Sequence, residues 1–484
     1  MRVVFLPLLA LILGGASATP VGAQVPEPLK PRPGGQANEP ARSVPPPVTA
    51  TFRGGVPSGT LSADSLQLSI ADVVNRALEH NLGLLLADES VVRARGARWR
   101  ALADLLPNVT GRISETRQKL NLAAYGFPLP EGFPNVVGPF NLFDARVHLS
   151  QSVLDFKAIN DARAETHNLA AARHDYKSAR DLVVLVSVDG YAQVLAASAR
   201  VAAARAQVDT SQALYSQAVD MKQSGIIAGI DVLRAQVQLD SDRQTATGAQ
   251  VGQEKAKLQL ARLIGLPLGQ AFTLSEQLTS ARIPDMTLEE ALERAYRTRG
   301  DYLAMLERVR AAEASRQAAV GEMLPAVRVN ANYGELGRSI GDARATFLVA
   351  GSVEVPMFQG GKTRGKLLEA DAEVRSRRAD ADDLKASIYY DVRTAMLDLQ
   401  AGNEQLQVAT RARELAANQL TQARDRFAAG VAGNIEVVQA QAAVTQANDQ
   451  FIAAVYTTNI AKGALVHAVG IAEETARQLF GGLR

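Results

Sequence analysis

The chain is written twice, and that constrains its fold more than any other feature. Residues 68–81, LSIADVVNRALEHN, align with MTLEEALERAYRTR from Met286 at an offset of 218, which also carries Leu106-Pro107-Asn108-Val109 onto Leu324-Pro325-Ala326-Val327. Further on, SGIIAGIDVLRAQ from Ser224 aligns with AGVAGNIEVVQAQ from Ala429 at an offset of 205, and Gly265 and Gly470 close both copies. A pattern repeated in the same order implies one supersecondary unit used twice, its buried face completed by its twin. The change of offset places 13 extra residues in the first copy, between Val109 and about Gln151.

That extra length falls in a Pro/Gly-rich stretch, AAYGFPLPEGFPNVVGPF, whose shorter counterpart surrounds GELGRSIGDAR. Both are flanked by alternating sequence. Phe143, Ala145, Val147 and Leu149 are separated by Asp144, Arg146, His148 and Ser150, and Val327, Val329, Ala331 and Tyr333 by Arg328, Asn330 and Asn332. Residues 345–354 alternate too, with Leu348 and Ala350 as imperfections. A period of two means strands with one dry and one wet face. Each copy therefore holds one strand hairpin, at about 109–154 and 327–356.

The remainder reads as helix. No proline lies between Pro139 and Pro267 or after Pro356. Stretches at about 156–223 and 361–428 would each make a helix of roughly 100 Å at 1.5 Å per residue. Shorter helices are expected at about 70–105, 231–264, 288–323 and 434–469. In the last, Val437, Val444 and Phe451 recur every seven residues with Ala440, Ala447 and Ala454 between them, a coiled-coil seam with small d residues.

Several functions are excluded or disfavoured. Gly361-Lys362-Thr363 ends like a phosphate-binding loop, but the required earlier glycine is Pro356, which has no N–H to offer a phosphate. VPMFQGGKTRGK is instead the joint where a strand becomes a helix. The net charge of +2 shows no basic stripe for nucleic acid. No Ser/His/Asp set or paired-carboxylate pocket can be assembled, so no enzyme and no cofactor is expected. His167 and His174 lie two helical turns apart without a third ligand, and read as helix-surface residues rather than a metal site. The chain has no cysteine, so no disulfide and no lipid-bearing N-terminal cysteine is expected. Arg2 followed by VVFLPLLALILGG reads as a signal peptide (1–23), cleaved after Ala23 or Ala18. The other expected divisions are a flexible Pro/Gly-rich leader (24–63), a first repeat (64–270), a connector (271–285), a second repeat (286–472) and a tail (473–484). No other stretch is expected to form a membrane-crossing helix.

Four amphipathic strands cannot close a barrel, and membrane barrels begin at about 8 strands. Three copies would give twelve and gather the helices into a long tube. The fold class expected is mainly α with β: a trimeric 12-stranded outer-membrane barrel continued by an α-helical coiled-coil barrel.

The duplicated order, the Leu-Pro before each first strand, the joint VPMFQGGK, and the twin turns GIIAGIDVLRAQ and GVAGNIEVVQAQ resemble the TolC family of outer-membrane efflux and secretion channels, over about residues 64–472. The resemblance implies a homotrimer in the outer membrane of a Gram-negative bacterium, its helices in the periplasm. It implies a periplasmic adaptor (membrane fusion) protein and an inner-membrane pump of RND, ABC or MFS type as partners, with outer-membrane lipid and no nucleic acid. By position it places the adaptor-docking tip at Gly225, Ile230, Asp231, Val232, Leu233, Gly430, Ile435, Val437 and Val438, and the periplasmic gate at Phe427, Glu436 and Gln439. Glu436 would form a carboxylate ring favouring cations. A gating arginine position holds Ala432 and a second acidic one holds Gln439, so the charged lock is weaker here. The same residues have plainer readings. Asp231 and Glu436 open helices where a carboxylate suits the dipole, Gly225 and Gly430 are turn glycines, and Phe427 packs between helices. The expected function is the exit duct of a tripartite efflux system for small molecules. Type I protein secretion, metal export, or a non-channel periplasmic scaffold remain as alternatives.

Overall fold

The computed structural model describes residues 52, 54–125, 132, 134–277 and 286–475. The expected signal peptide, most of the expected leader, the end of the expected tail and part of the expected connector lie outside these. The first repeat contains β1 (Leu66–Leu68), α1 (Ile70–His80), α2 (Leu82–Ala103), β2 (Asn108–Asn121), β3 (Val136–Leu154), α3 (Phe156–Gln223) and α4 (Gly229–Leu263). β4 (Phe272–Leu274) falls in the expected connector, and the second repeat contains α5 (Leu288–Thr298), α6 (Gly300–Gly321), β5 (Ala326–Gly337), β6 (Arg344–Glu354), α7 (Lys362–Ala428) and α8 (Asn434–Val469).

The two hairpins join into one antiparallel sheet of order β2-β3-β5-β6. Its ends, β2 and β6, have no strand partner beyond them among the described residues. The helices near the sheet follow the same order: α2 packs on α3, α3 on α6 and α6 on α7. Farther from the sheet, α4 and α8 take the places of α2 and α6, with α4 on α3, α3 on α8 and α8 on α7. The long helices α3 and α7 thus run through both halves of one row. Where the halves meet, α1 rests on α3 and α5 on α7, around a core of Ile70, Val73, Val183, Val188, Tyr191, Leu260, Ile264, Ile388 and Val392. By length and composition, part of α3 could cross a membrane, contrary to the sequence expectation. More than half of that stretch is buried in the protein, so the core accounts for it.

Two helices expected to be continuous are each broken. Asn81 ends α1, its N–H bonding to the Ala77 carbonyl, and starts α2, its side chain accepting from Gly83 N–H at 2.9 Å. Arg299 likewise ends α5, its N–H bonding to the Ala295 carbonyl, but it starts α6 without a side-chain cap, its backbone extended at φ/ψ of −62°/120°. Gly300 follows because a Cβ there would come within 2.5 Å of the His174 carbonyl. Capping boxes, Ser69 with Asp72 and Thr287 with Glu290, start the two short helices.

The described end of the leader is bound to the body, which corrects its expected looseness. Gly55 N–H donates to the Arg262 carbonyl at 2.7 Å, Val56 N–H to His80, and Ser58 N–H to Gly265. Phe52 lies against Gly83, and Arg76 donates to the Ser58 carbonyl at 2.6 Å. Beyond it, β1 pairs in parallel with β4, stitching the start of the first repeat to the connector that leads into the second. Three-residue strands are too short to leave a readable alternation in sequence.

Candidate functional site

The sheet has two chemically different faces. In register, Val147 of β3 sits beside Tyr333 of β5, which sits beside Phe347 of β6. With Val109, Ile113, Val349 and Val353 these form an apolar face that the protein leaves exposed. Residues of opposite parity form the other face: Arg112 beside Arg146, and His148 beside Asn332. Two arginines side by side repel. Asp144 offsets this by accepting from Arg146 in a bidentate pair at 2.7 and 2.5 Å. An uncovered apolar face of this extent marks a surface that meets lipid or protein.

At the far end of the helices the two hairpin turns have the same backbone. Gly225 (φ 72°) donates to the Lys222 carbonyl, and Ile226 N–H to Met221. Gly430 (φ 73°) donates to Phe427, and Val431 N–H to Arg426. Both are Schellman endings, which need a left-handed residue and so favour glycine. The helices that follow start without side-chain caps, and Asp231 and Glu436 lie in their first turns, where a carboxylate suits the dipole. Asp231 pairs with Arg234 at 3.2 Å, whereas Glu436 reaches back across its turn to Arg426 at 3.5 Å.

Of the tip residues expected from sequence, Ile230, Leu233 and Ile435 project apolar side chains into the open, and Val232, Val438 and Gln439 are at least partly accessible. Ile226 and Val431, one residue past each turn glycine, are exposed as well. They follow the same offset of 205 and were legible in the repeat. Two expectations need correction. Phe427 is only 2% exposed, packed with Leu214, Leu420, Ala423, Val437 and Ala440. Its ring is the wedge between α7, α8 and α3 and does not present itself to a gate. Val437, at 0% exposure, belongs to the same cluster and offers no docking surface.

Above this cluster lies a buried polar group that sequence reasoning missed. Gln441 of α8 donates to Ser211 of α3 at 2.5 Å, Ser211 donates to Asp242 of α4, and Gln238 donates to Asp242 at 2.9 Å. It joins the two hairpins. Its residues are far apart in sequence and sit among Ala-rich heptads, so no local signal marks them. His167, considered for metal, is engaged by Glu307 at 2.7 Å, and no group of metal-binding side chains occurs among the described residues.

The model of the outer membrane efflux protein family matches residues 73–266 and 291–471, one segment for each repeat. The chain belongs to that family. It is therefore an outer-membrane channel protein of efflux, not an enzyme, with its helical part in the periplasm. Among curated proteins it is 24% identical to the pyoverdine export outer membrane protein OpmQ of Pseudomonas putida, over 75% of this chain and 77% of that one. It is 26% identical to protein CyaE of Bordetella pertussis, over 58% of this chain and 62% of that one. Among solved structures it is similar to the outer-membrane channel OprN (TM-score 0.70, 21% identity, 83% of this chain and 89% of that one). It is also similar to the Campylobacter jejuni CmeC channel (TM-score 0.73, 17% identity, 90% and 96%). These likenesses concern the fold. The family assignment sets aside the scaffold alternative.

Proposed function

We propose that three copies of this channel protein close their sheets into one twelve-stranded barrel in the outer membrane and their helices into a periplasmic tube. The assembly then serves as the passive exit duct of a tripartite efflux system. The observation that carries this is the four-stranded sheet with an exposed apolar face and two unpaired edges. In a membrane an open edge leaves backbone groups without partners, at several kcal/mol each, so the edges must meet. β2 points away from the helices and β6 toward them. A neighbour's β2 beside β6 therefore continues the antiparallel alternation.

At the tip, the exposed Ile226, Ile230, Leu233, Val431 and Ile435 form an apolar rim in water. Such a rim fits the end of a periplasmic adaptor, itself joined to an inner-membrane pump of RND, ABC or MFS type. The cargo is small exported molecules, in keeping with the relative whose name assigns it pyoverdine export. Glu436 sets a modest cation preference at the narrow end, reduced by its pairing with Arg426. In planar bilayers the purified protein should give discrete conductance steps, larger in Phe427→Ala, which loosens the tip. Membrane-inserted protein that stays silent in both forms would remove the duct. Glu436→Gln should shift the reversal potential away from cation selectivity, and an unchanged value leaves Glu436 with its helix-dipole role alone.

A further inference from the structure

Two exposed apolar clusters lie on opposite edges of the chain, each beginning within a few residues of the end of an edge strand. On the β6 edge, residues 355–361 link the strand to α7, and Met357 and Phe358 are each 90% exposed, more than any other large apolar side chain described. Leu368, in the second turn of α7, continues the patch. On the β2 edge, α2 carries Trp99, 57% exposed, and the link to β2 carries Leu106, also exposed. Because the helix row α2-α3-α6-α7 has the same order as the strands, these links end the row on opposite sides. They cannot cover one another within a chain.

The charges match across the same gap. Arg95 and Arg100 of α2 have no acidic partner among the described residues, and neither does Glu369 of α7 a basic one. At 1.5 Å per residue, Glu369 lies about 10 Å below the start of α7, between the depths of Arg100 (about 5 Å) and Arg95 (about 12 Å) below the end of α2. Both helices also carry an interior glycine near this depth, Gly96 and Gly365. An added Cβ would meet nothing within 4 Å at either. A glycine inside an exposed helix costs about 1 kcal/mol relative to alanine. Here it leaves room for another backbone to approach closely.

We propose that the β6–α7 link of one copy docks on the α2–β2 link of the next. Phe358 and Met357 cover Trp99 and Leu106, and Glu369 sits between Arg95 and Arg100. The three contacts would form an apolar girdle just below the sheet. This rests on the edge-to-edge assembly proposed above and names its side-chain contacts.

The chain has no cysteine and a single tryptophan, so both probes are free of background. In outer membranes, full-length Trp99→Cys/Phe358→Cys should give covalently linked copies, up to trimers, on mild oxidation or with a short bis-maleimide. Each single variant should give none. Trp99 of the wild type should be shielded from both aqueous iodide and brominated phospholipid, and Phe358→Ser should expose it to iodide while the assembled mass persists. An assembled mass with no linkage by either reagent overturns the contact and leaves the assembly standing. Quenching of Trp99 by brominated lipid overturns it in favour of membrane cover. A monomeric mass overturns the assembly reading beneath it.

Discussion

The two strand-to-helix joints are the same step in two copies of one repeat, and they are built differently. In the first, Asp155 alone separates β3 from α3, and its carboxylate caps the helix by accepting from Ala158 N–H at 3.0 Å. Gly321 lies against this joint so closely that a Cβ would come within 2.7 Å of the Lys157 nitrogen. In the second, residues 355–361 intervene, Gly360 and Gly361 both take positive φ (59° and 86°), and α7 starts without a side-chain cap. Their places in the row explain the difference. Helix α3 has its own chain on both sides, so its joint is compressed between neighbours. Helix α7 ends the row, so its joint opens outward. Duplication preserved the elements, and divergence followed what each element faces.

The largest effect expected from breaking this contrast is at Gly321. Gly321→Leu should abolish assembled protein in the outer membrane, since the added side chain meets backbone, a mechanism that costs several kcal/mol. Gly361→Leu, with open space around it within its own chain, should lower stability by about 1–2 kcal/mol through its positive φ without abolishing assembled protein. Equal losses in membrane-assembly assays would show that the two joints are not different in kind. Next in size, Phe427→Ala should cost about 3–5 kcal/mol of stability. Val431→Ala, on the exposed turn of the same hairpin, should cost almost nothing while weakening adaptor binding. Asp155→Ala should cost about 1 kcal/mol through its lost cap, measurable as a lower thermal midpoint.

The smallest expected effect compares the ends of α4 and α8, where the offset of 205 puts His467 in the place of Arg262. Burial, and then the Arg299 guanidinium, hold the His467 imidazole below its usual range. The unfolded chain therefore binds this proton more readily than the folded one. His467 contributes stability above about pH 6.5, and the contribution fades as pH falls toward the depressed folded value. His467→Gln should flatten the acid side of the stability profile, seen by thermal unfolding between about pH 7 and 5. A profile unchanged by the substitution would place the acid sensitivity elsewhere.

Much of the architecture was legible because long periodic elements announce themselves. The hairpins emerge from an alternation broken only in places, such as Leu348 and Ala350, and the long helices from proline-free stretches bounded by Gly225 and Gly430. The helix breaks at Asn81 and Arg299 were hidden because apolar periodicity runs through both. Their local signals were a cap-forming asparagine before Gly83 and the glycine at 300, which only acquire meaning against the packed neighbour. Phe427 was assigned to the gate by resemblance. Its heptad-like setting among Leu420, Ala423, Val437 and Ala440 already supported the packed position found. The Ser211–Asp242–Gln441 link and the binding of residues 54–58 to the body depend on partners tens to hundreds of residues away, and no local pattern encodes them.

The account depends most on the sheet edges meeting between copies, and the most direct test is the native mass of the protein extracted in mild detergent from purified outer membranes. It predicts three chains per particle, held together until the sheet itself is denatured. A folded, monomeric particle would contradict it, leaving β2 and β6 as true open edges.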